Sequence, residues 1–377
     1  MWQIENIDTI GSLLKITPEE CAAIRVEKGL FGYNRQILKT QAEYLSRKYH
    51  CVVTNPPYLG KGFCDNLKNY IVSQFPNSKA DLYASFIERL SSMPCKDGYT
   101  AMVTMESWMF LPSYEKLRTH LIDNITIKSL SHFDWHIMRI AFGTVSFILQ
   151  NKKCENVEGI YSYLSRNDVD LQNEIPYVFP KKDNGRYSHT IQTKFKNIPG
   201  SPIAYWASEH ILRLFENEIL YDVSDPRLGM ATADNNKFLR CYWEVSSKSV
   251  NVCCSSTEES SISTKRWYPY AKGGEYRKWY GNIEFVVDWY NNGYEIQHFT
   301  DEKGKVRSHN YNLDFIFKKG ITWNALSSGD TAFRTMENSL FDNAGSSLFT
   351  KGETSYLNLL GYLNTKLVKS LFPVLNP

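Results

Sequence analysis

The chain has 377 residues, a length at which a single hydrophobic core usually gives way to two domains. Its composition, 42% hydrophobic and 22% charged, is ordinary for a globular protein and excludes a disordered tail, a coiled coil or a collagen-like fibre. The formal charge of +3 gives no global excess that would by itself indicate nucleic-acid binding. The unusual number is the aromatic content of 14%, because large rings fill cores and also stack on bases.

Signals for membranes, export and metals do not stand out. No run approaches the roughly 20 apolar residues that a membrane-spanning helix needs. The residues after Met1 have neither a basic n-region nor an apolar h-region. The eight cysteines form no Cys-x-x-Cys pair and no tight Cys/His cluster. We therefore expect a cytoplasmic chain with free thiols, no membrane contact and no metal.

The first half of the chain predicts alternating strands and helices. The predicted strands lie at residues 51–54, 99–105, 125–133 and 143–150, and the predicted helices lie at 79–93 and from Pro112 onward. Asp81 lies in the first turn of the first of these helices, where a negative charge is favourable. This order predicts an α/β domain with a mainly parallel sheet that carries an antiparallel edge.

The second half has a different texture. Residues 152–200 contain prolines and polar turns, which are typical of a connecting region. An amphipathic helix is predicted at 208–219, short strands and turns at 227–350, and a last helix at 356–371 that Pro373 ends. We therefore divide the chain into an α/β domain at 1–151, the connecting region at 152–200 and a mixed α+β domain at 201–377.

The most specific pattern is Asn55-Pro56-Pro57-Tyr58, directly after the first strand. An exocyclic amine is a weak nucleophile because its lone pair is delocalised into the aromatic ring. Acceptors at the Asn55 side-chain carbonyl and the Pro56 backbone carbonyl would stabilise the positive charge that develops on this nitrogen. Pro57 would help to hold the loop rigid, and Tyr58 would offer a flat face for stacking. The alternative is a proline turn with a capping Asn.

This tetrapeptide resembles motif IV of S-adenosylmethionine-dependent amino-methyltransferases. The chain as a whole resembles adenine-specific DNA methyltransferases of the type IIG restriction class, and most closely their relatives in bacteriophage-exclusion (BREX) systems. The segments that carry the resemblance are residues 52–60, 80–89, 277–282, 287–293, 320–323 and 359–366. It implies the C-terminal half of a Rossmann-like class I methyltransferase sheet, followed by an α+β target-recognition domain. It also implies that Asp81 lies near the rim of the active site.

The resemblance is incomplete before Asn55. Such methyltransferases carry their cofactor motif, a strand ending in a glycine-rich turn, upstream of motif IV. Only 54 residues precede Asn55, and the nearest candidate, Gly29-Leu30-Phe31-Gly32, has the wrong spacing and context. We therefore expect a fragment whose S-adenosylmethionine site lies largely outside the chain. The strand at Val52-Val53 would then expose an unpaired apolar edge, which favours poor solubility or assembly with a complementary N-terminal methyltransferase chain.

One stretch of the second half is strongly basic. Residues 265–280 hold five basic residues, one acid and six aromatics, a local charge of +4. Such a surface suits phosphates and unstacked bases. The candidate DNA-binding residues are Lys265, Arg266, Lys272, Arg277, Lys278 and Trp279. The alternative is a β-hairpin whose charges are solvated and whose rings belong to the core.

The sequence thus predicts S-adenosylmethionine-dependent methylation of the exocyclic amine of adenine in double-stranded DNA, in a host-defence context. Asn55, Pro56, Pro57 and Tyr58 are the predicted catalytic residues. Two alternatives stay open. One is a catalytically inactive recognition or accessory subunit that acts with other defence-system subunits. The other is a protein-glutamine methyltransferase, against which the large aromatic C-terminal region argues.

Overall fold

The computed structural model describes residues 7–24, 30–173, 175–324 and 331–375, so the Gly29 of the candidate cofactor turn lies outside the described residues. Two compact units are present. The first runs to Glu216 and includes the last residues from Val374, and the second is Asn217–Pro373. In the part of the chain that the structure describes, no helix is long and apolar enough to cross a membrane.

The first unit combines helices with a mixed sheet. Its helices are α1 Ile7–Ile10, α2 Pro18–Ala22, α3 Leu30–Ser46, α4 Asp65–Gln74, α5 Leu82–Ser91, α6 Glu115–Asn124 and α7 Glu209–Leu214. Its strands are β1 Tyr49–Thr54, β2 Pro94–Met105, β3 Thr126–Phe133, β4 Thr144–Gln150, β5 Glu158–Leu164, β6 Val169–Asp170, β7 Ile175–Pro176 and β8 Tyr187–Ile191. The four strands predicted in this half are confirmed, with small differences at their ends.

Six of these strands form one sheet in the order β1-β2-β4-β3-β5-β8. The pairs β1/β2 and β3/β5 are parallel, whereas β2/β4, β4/β3 and β5/β8 are antiparallel. The strands of the predicted antiparallel pair, β3 and β4, do pair antiparallel, but β4 lies inside the sheet, and the antiparallel edge strand is β8. Three of the five neighbouring pairs are antiparallel, so the sheet is mixed and not mainly parallel as predicted. In the described part of the chain β1 is an end strand, and Val53 on it is 72% exposed. The predicted unpaired edge of β1 in the whole protein stays a prediction.

Residues 152–200 are part of this unit, which corrects their prediction as a connecting region. They supply β5 and β8 to the sheet. The side chain of Gln192 accepts from the Ile127 amide at 2.8 Å and donates to the Ile122 carbonyl at 2.9 Å, which ties this region to β3 and to α6. Arg118 on α6 is buried and donates to the Gly200 carbonyl. Buried apolar side chains, Tyr161 and Phe195 among them, also pack this segment into the core, so apolar burial and satisfied backbone groups together hold it in place.

The second unit contains two four-stranded sheets and short helices. Its helices are α8 Leu220–Val223, α9 Asn235–Phe238, α10 Thr257–Ile262, α11 Tyr290–Gln297, α12 Tyr356–Leu363 and α13 Lys366–Leu375, the last of which extends into the first unit. Its strands are β9 Ser224–Arg227, β10 Leu239–Cys241, β11 Trp267–Ala271, β12 Phe285–Asp288, β13 Gly320–Thr322, β14 Arg334–Met336, β15 Leu340–Phe341 and β16 Ser347–Thr350. The sheet orders are β10-β12-β11-β15 and β14-β13-β16-β9. Its core contains many aromatic residues, including Tyr268, Tyr270, Trp289 and Phe341.

Two helices predicted in the second half are divided in the structure. The predicted helix at 208–219 is replaced by α7 and, after a break, α8. The predicted helix at 356–371 consists of α12 and α13, and Pro373 lies within α13 instead of ending it. Asn364 marks the division, because its side chain accepts from the Phe333 amide at 3.2 Å and donates to the Phe333 carbonyl at 2.9 Å. A side chain that pairs with a neighbouring backbone competes with helix continuation.

Candidate functional site

The predicted catalytic tetrapeptide lies at the edge of the sheet where several strands end together. The pairings show that β1, β2, β3 and β5 all run in one direction. Their carboxyl ends are followed by Asn55, Glu106, Asp134 and Ser165 respectively. Side chains at the carboxyl edge of such strands are well placed to form a ligand site. The site is therefore assembled from segments far apart in the sequence.

The four residues of the motif differ in exposure. Asn55 and Pro57 are exposed, Pro56 is buried and Tyr58 is half-buried. The Tyr58 hydroxyl lies 3.0 Å from Asn55 Oδ1 and 3.2 Å from the Val103 carbonyl oxygen, and it can donate to either. Burial raises the pKa of Tyr58, which keeps this donor protonated. The Asn55 carbonyl oxygen is thus oriented by a neighbour while its side chain stays accessible.

Two hydrogen bonds, one between backbone groups and one to a side chain, join the motif loop to the start of α5. The Leu82 amide donates to the Leu59 carbonyl at 3.0 Å, and the Leu59 amide donates to Asp81 Oδ1 at 3.1 Å. Asp81 is the N-cap of α5, since the same oxygen accepts from the Tyr83 amide at 3.2 Å. Burial raises the pKa of the Asp81 carboxyl. We call this arrangement of Leu59, Asp81 and Leu82 the loop clamp.

Aromatic rings surround Tyr58. The ring of Tyr83 lies 6.0 Å from it in an edge-to-face arrangement, and the ring of Phe142 lies 5.9 Å away at an interplanar angle of 68°. Tyr83 is buried, and its hydroxyl is 2.7 Å from the Ser107 hydroxyl. Sequence reasoning missed Phe142. Its position immediately before the strand that begins at Gly143-Thr144 was the available signal.

A buried histidine on β3 contacts a carboxylate that follows β2. His132 Nε2 contacts Glu106 Oε2, and His132 Nδ1 lies 3.0 Å from the Tyr205 hydroxyl. Because a carboxylate only accepts, Nε2 is the donor in this contact. The Glu106 amide donates to the Gly143 carbonyl, next to Phe142. Among the residues that the structure describes, no three His, Cys, Asp or Glu side chains gather as a metal site.

The candidate DNA-binding residues of the second unit make several contacts with acidic residues. Arg266 pairs with Asp288 through bonds of 2.9 and 2.7 Å, and this partner raises the pKa of the guanidinium. Lys272 Nζ lies 3.8 Å from Asp342, although burial still lowers the pKa of Lys272. Arg277 lies 3.7 Å from Glu284. Three of the five cations thus have a carboxylate partner, which reduces the charge available to a phosphate.

The other three candidates bond to the backbone. Lys265 donates to the Lys248 carbonyl, and Lys278 donates to the Asn364 carbonyl at 2.8 Å. Trp279 is half-exposed and has a φ of 72°. Its amide donates to the Phe333 carbonyl at 2.9 Å. All six candidate residues lie in the second unit, and their contact with DNA stays a prediction.

Comparison with known proteins places this geometry in a family context. Residues 6–137 match the family model described as Eco57I restriction-modification methylase. The chain is 38% identical to the adenine-specific methyltransferase PglX of Lacticaseibacillus casei (strain Zhang) over 88% of its length. The chain is a relative of adenine-specific methyltransferases. The resemblance predicted from the sequence is confirmed.

Two further comparisons define how far this kinship extends. The chain is 35% identical to the adenine-specific methyltransferase BrxX of Escherichia coli O9:H4 (strain HS) over 96% of its length. It spans 28% of PglX and 30% of BrxX, less than a third of each relative. Among solved structures, the type IIL restriction-modification enzyme MmeI in complex with DNA shares the fold, with a TM-score of 0.51 and 15% identity over 84% of this chain and 42% of that one.

The residues described upstream of Asn55 do not fit the cofactor motif of such enzymes. In residues 7–24 and 30–54 no strand precedes β1, so no strand with a glycine-rich turn lies before the motif. We therefore assign no residue of this chain to S-adenosylmethionine.

Proposed function

We propose that this chain carries the acceptor side of an adenine-specific DNA methyltransferase that acts in host defence. The observation that supports it is the Asn55-Pro56-Pro57-Tyr58 loop, held at the carboxyl end of β1 beside the rings of Tyr83 and Phe142. The similarity to PglX and BrxX supports the choice of adenine, and the match to a restriction-modification methylase family supports a defence context. The acceptor is the exocyclic amine of an adenine displaced from double-stranded DNA.

The loop would act on the amine by accepting its two hydrogens. Asn55 Oδ1 is one acceptor and the Pro56 backbone carbonyl is the other. As the nitrogen attacks a methyl group, it becomes positively charged, and both acceptors stabilise that charge more than they stabilise the neutral amine. Pro57 and the loop clamp keep the acceptors in place before the base arrives. The loop therefore needs little rearrangement to reach the transition state, which lowers the barrier to methyl transfer.

Tyr58 would release Asn55 when the base arrives. Its hydroxyl can turn from Asn55 Oδ1, at 3.0 Å, to the Val103 carbonyl, at 3.2 Å, because the two acceptors are almost equally near. The Asn55 oxygen then becomes free for the amine without leaving a buried donor unpaired. The Tyr58 ring provides the stacking face, and Phe142 provides a second apolar wall.

We propose a Rossmann-like methyltransferase sheet for the first unit and target recognition for the second. The spatial order and the directions of β1 to β4 in the sheet support the first assignment. The basic aromatic stretch at 265–280 supports the second. The methyl donor would be S-adenosylmethionine, which supplies an activated methyl sulfonium. We propose double-stranded DNA as the partner, together with a complementary methyltransferase segment or other defence subunits, and cytoplasm as the location.

Methyl transfer from labelled S-adenosylmethionine to DNA tests the proposal. The chain is incubated with genomic DNA with and without an added N-terminal methyltransferase segment that supplies the cofactor site, and N6-methyladenine is measured after digestion to nucleosides. Asn55→Ala should lower the rate by about 10²–10³-fold, because it removes one preorganised acceptor. DNA affinity should be unchanged. Asn173→Ala, which alters another exposed Asn of the first unit, is the matched control and should act like the unsubstituted protein.

The two alternative functions give different outcomes of the same assay. DNA binding without any methyl incorporation, even by the unsubstituted chain together with the added methyltransferase segment, would support a recognition or accessory subunit. Label in protein glutamine instead of DNA would support a protein methyltransferase. Either result would overturn the proposed function.

A further inference from the structure

The connection between β3 and β4 presents large apolar side chains at the edge of the sheet that carries Asn55. Trp135 is 47% exposed and Met138 is 42% exposed. We call residues 134–140 the hairpin tip. The tip is separated from Phe142, which contacts Tyr58, by one residue. The hairpin tip thus leads in sequence directly into the residue that lines the proposed base pocket.

The hairpin tip has an unusual backbone conformation. His136, Met138 and Arg139 have φ values of 65°, 62° and 56°, a region that residues other than glycine adopt only when the surroundings hold them there. The His136 amide donates to the Ile140 carbonyl at 2.7 Å, and the side chain of Ile137 is buried beneath. A backbone fixed in this way presents Trp135 without a large cost in loop entropy on binding.

Trp135 is also held by its neighbours. The Arg166 guanidinium carbon lies 4.1 Å from the centroid of the Trp135 ring, and the His136 ring lies 4.5 Å away. The Asp134 carboxylate accepts from the Trp135 amide at 2.8 Å and from the Arg166 amide at 3.1 Å. Arg166 follows β5, so two strand ends combine to place a cation on an exposed aromatic ring.

We propose that the hairpin tip contacts the DNA duplex next to the displaced adenine, with Trp135 stacking on a base and Arg166 meeting a backbone phosphate. This inference rests on the proposed function. A base that leaves the duplex leaves a gap, and apolar side chains commonly enter such disrupted base steps. Stacking on an aromatic ring accepts any base, so this contact adds affinity without reading sequence. The guanidinium adds attraction to the phosphates.

The test follows the displaced base by fluorescence. A duplex carries 2-aminopurine at the position that the unsubstituted protein methylates, as identified by sequencing of modified DNA. Trp135→Ala should lower the fluorescence rise and weaken DNA binding about tenfold, in the range expected for one base–aromatic stack. Trp135→Phe should restore most of both signals. Arg166→Gln should weaken binding mainly at low salt.

Tyr44→Ala is the matched control. Tyr44 is exposed on α3, and the Arg47 guanidinium lies 5.4 Å from its ring, but the pair precedes the amino end of β1. This variant should bind and displace the base like the unsubstituted protein. Thermal melting checks that each variant is folded. If Trp135→Ala melts at a lower temperature, binding is compared again with Arg166→Gln, which leaves the apolar tip intact.

The outcomes separate this inference from the proposed function. If folded Trp135→Ala binds and displaces the base normally, the hairpin tip does not contact DNA and the inference is overturned, while the proposed function stands. If Trp135→Ala instead loses only its association with another protein subunit, the tip is a protein contact and the inference is also overturned. If the unsubstituted chain methylates no DNA even with the added methyltransferase segment, it is the proposed function that fails.

Discussion

At the scale of single residues, Asp81 links the catalytic loop to the helix behind it. One carboxylate oxygen accepts from the Leu59 amide of the loop and from the Tyr83 amide of α5. The sequence indicated a helix-starting acid here, but the second bond depends on a loop residue 22 positions away. The role of Asp81 is therefore positional, since it acts on the reaction only through the motif loop.

Replacing Asp81 should weaken both the helix and the loop. Asp81→Ala removes the N-cap and should lower stability by about 1 kcal/mol, with a further decrease in methylation rate as Asn55 becomes less well placed. Asp81→Asn keeps a carbonyl acceptor and should retain most of both properties. Thermal melting and methylation kinetics measure the two effects. Equal rates for Asp81→Ala and the unsubstituted protein would contradict the positioning role.

The residues that sequence reasoning identified share one property: their chemistry is local. Asn55 and Tyr58 lie in one tetrapeptide, so the pattern alone indicated their function. Phe142 and Glu106 were missed because they reach the site only through strand order, which places β4 beside β2. The basic stretch illustrates the opposite error. Its local charge was read correctly, but Asp288, Asp342 and Glu284 lie outside the stretch and pair with three of its cations.

At the scale of elements, the base of the β3–β4 hairpin is fixed by the close packing of the Glu106 carboxylate against Gly143. Gly143 is buried, and a Cβ atom there would overlap the carboxylate of Glu106. The same carboxylate contacts His132. The absence of a side chain at position 143 thus lets Glu106 reach His132 while Phe142 faces Tyr58. The strand pair was predictable from apolar runs, but this contact between two strands was not.

Gly143→Ala should displace Glu106 and shift Phe142. We expect a lower methylation rate and a modest decrease in thermal stability. The double variant Glu106→Ala/Gly143→Ala tests the cause, because removing the carboxylate makes room for the methyl group. The double variant should be no worse than Glu106→Ala alone. Additive effects would show that position 143 acts through another neighbour.

At the scale of the whole molecule, apolar periodicity correctly predicted the buried strands of the first unit. Composition wrongly predicted that residues 152–200 are a connecting region. Residues 152–200 look like a linker because prolines and polar residues dominate them. They nevertheless complete the sheet, since Gln192 and Arg118 satisfy backbone groups across long separations in sequence. The apolar signal of this segment is short, since β5 alternates over only a few residues and Phe195 and Ile198 are isolated core residues. Its membership in the fold becomes visible only when the hydrogen-bond partners are known.

The charge of the second unit leads to a prediction about DNA affinity. Changing Lys265, Arg266, Lys272, Arg277 and Lys278 together to Gln should weaken binding and flatten its dependence on salt. Each phosphate that the variant no longer neutralises reduces the slope of log affinity against log salt by about 0.9. Because three of the five cations have carboxylate partners, we expect the slope to decrease by less than it would if all five cations neutralised a phosphate. Fluorescence anisotropy at a series of salt concentrations measures it.

A control for that variant uses cations of the first unit that are also paired. Lys152, Lys153, Lys194 and Lys196 each contact a carboxylate. Their replacement by Gln should leave the slope nearly unchanged. An unaltered slope in the first variant, or an equal decrease in the control, would remove the basis for assigning DNA contact to residues 265–280.

The loop clamp also determines which changes the catalytic loop tolerates. Leu59 takes part through its backbone N–H and C=O, whereas its side chain is exposed. Side chains of many kinds are therefore compatible with position 59. Proline is the exception, because it has no N–H to donate to Asp81. A proline there, two positions after Pro57, would make the loop stiffer yet separate it from α5. Stiffness of the chain and anchorage to the fold are thus distinct requirements, and this loop depends on both.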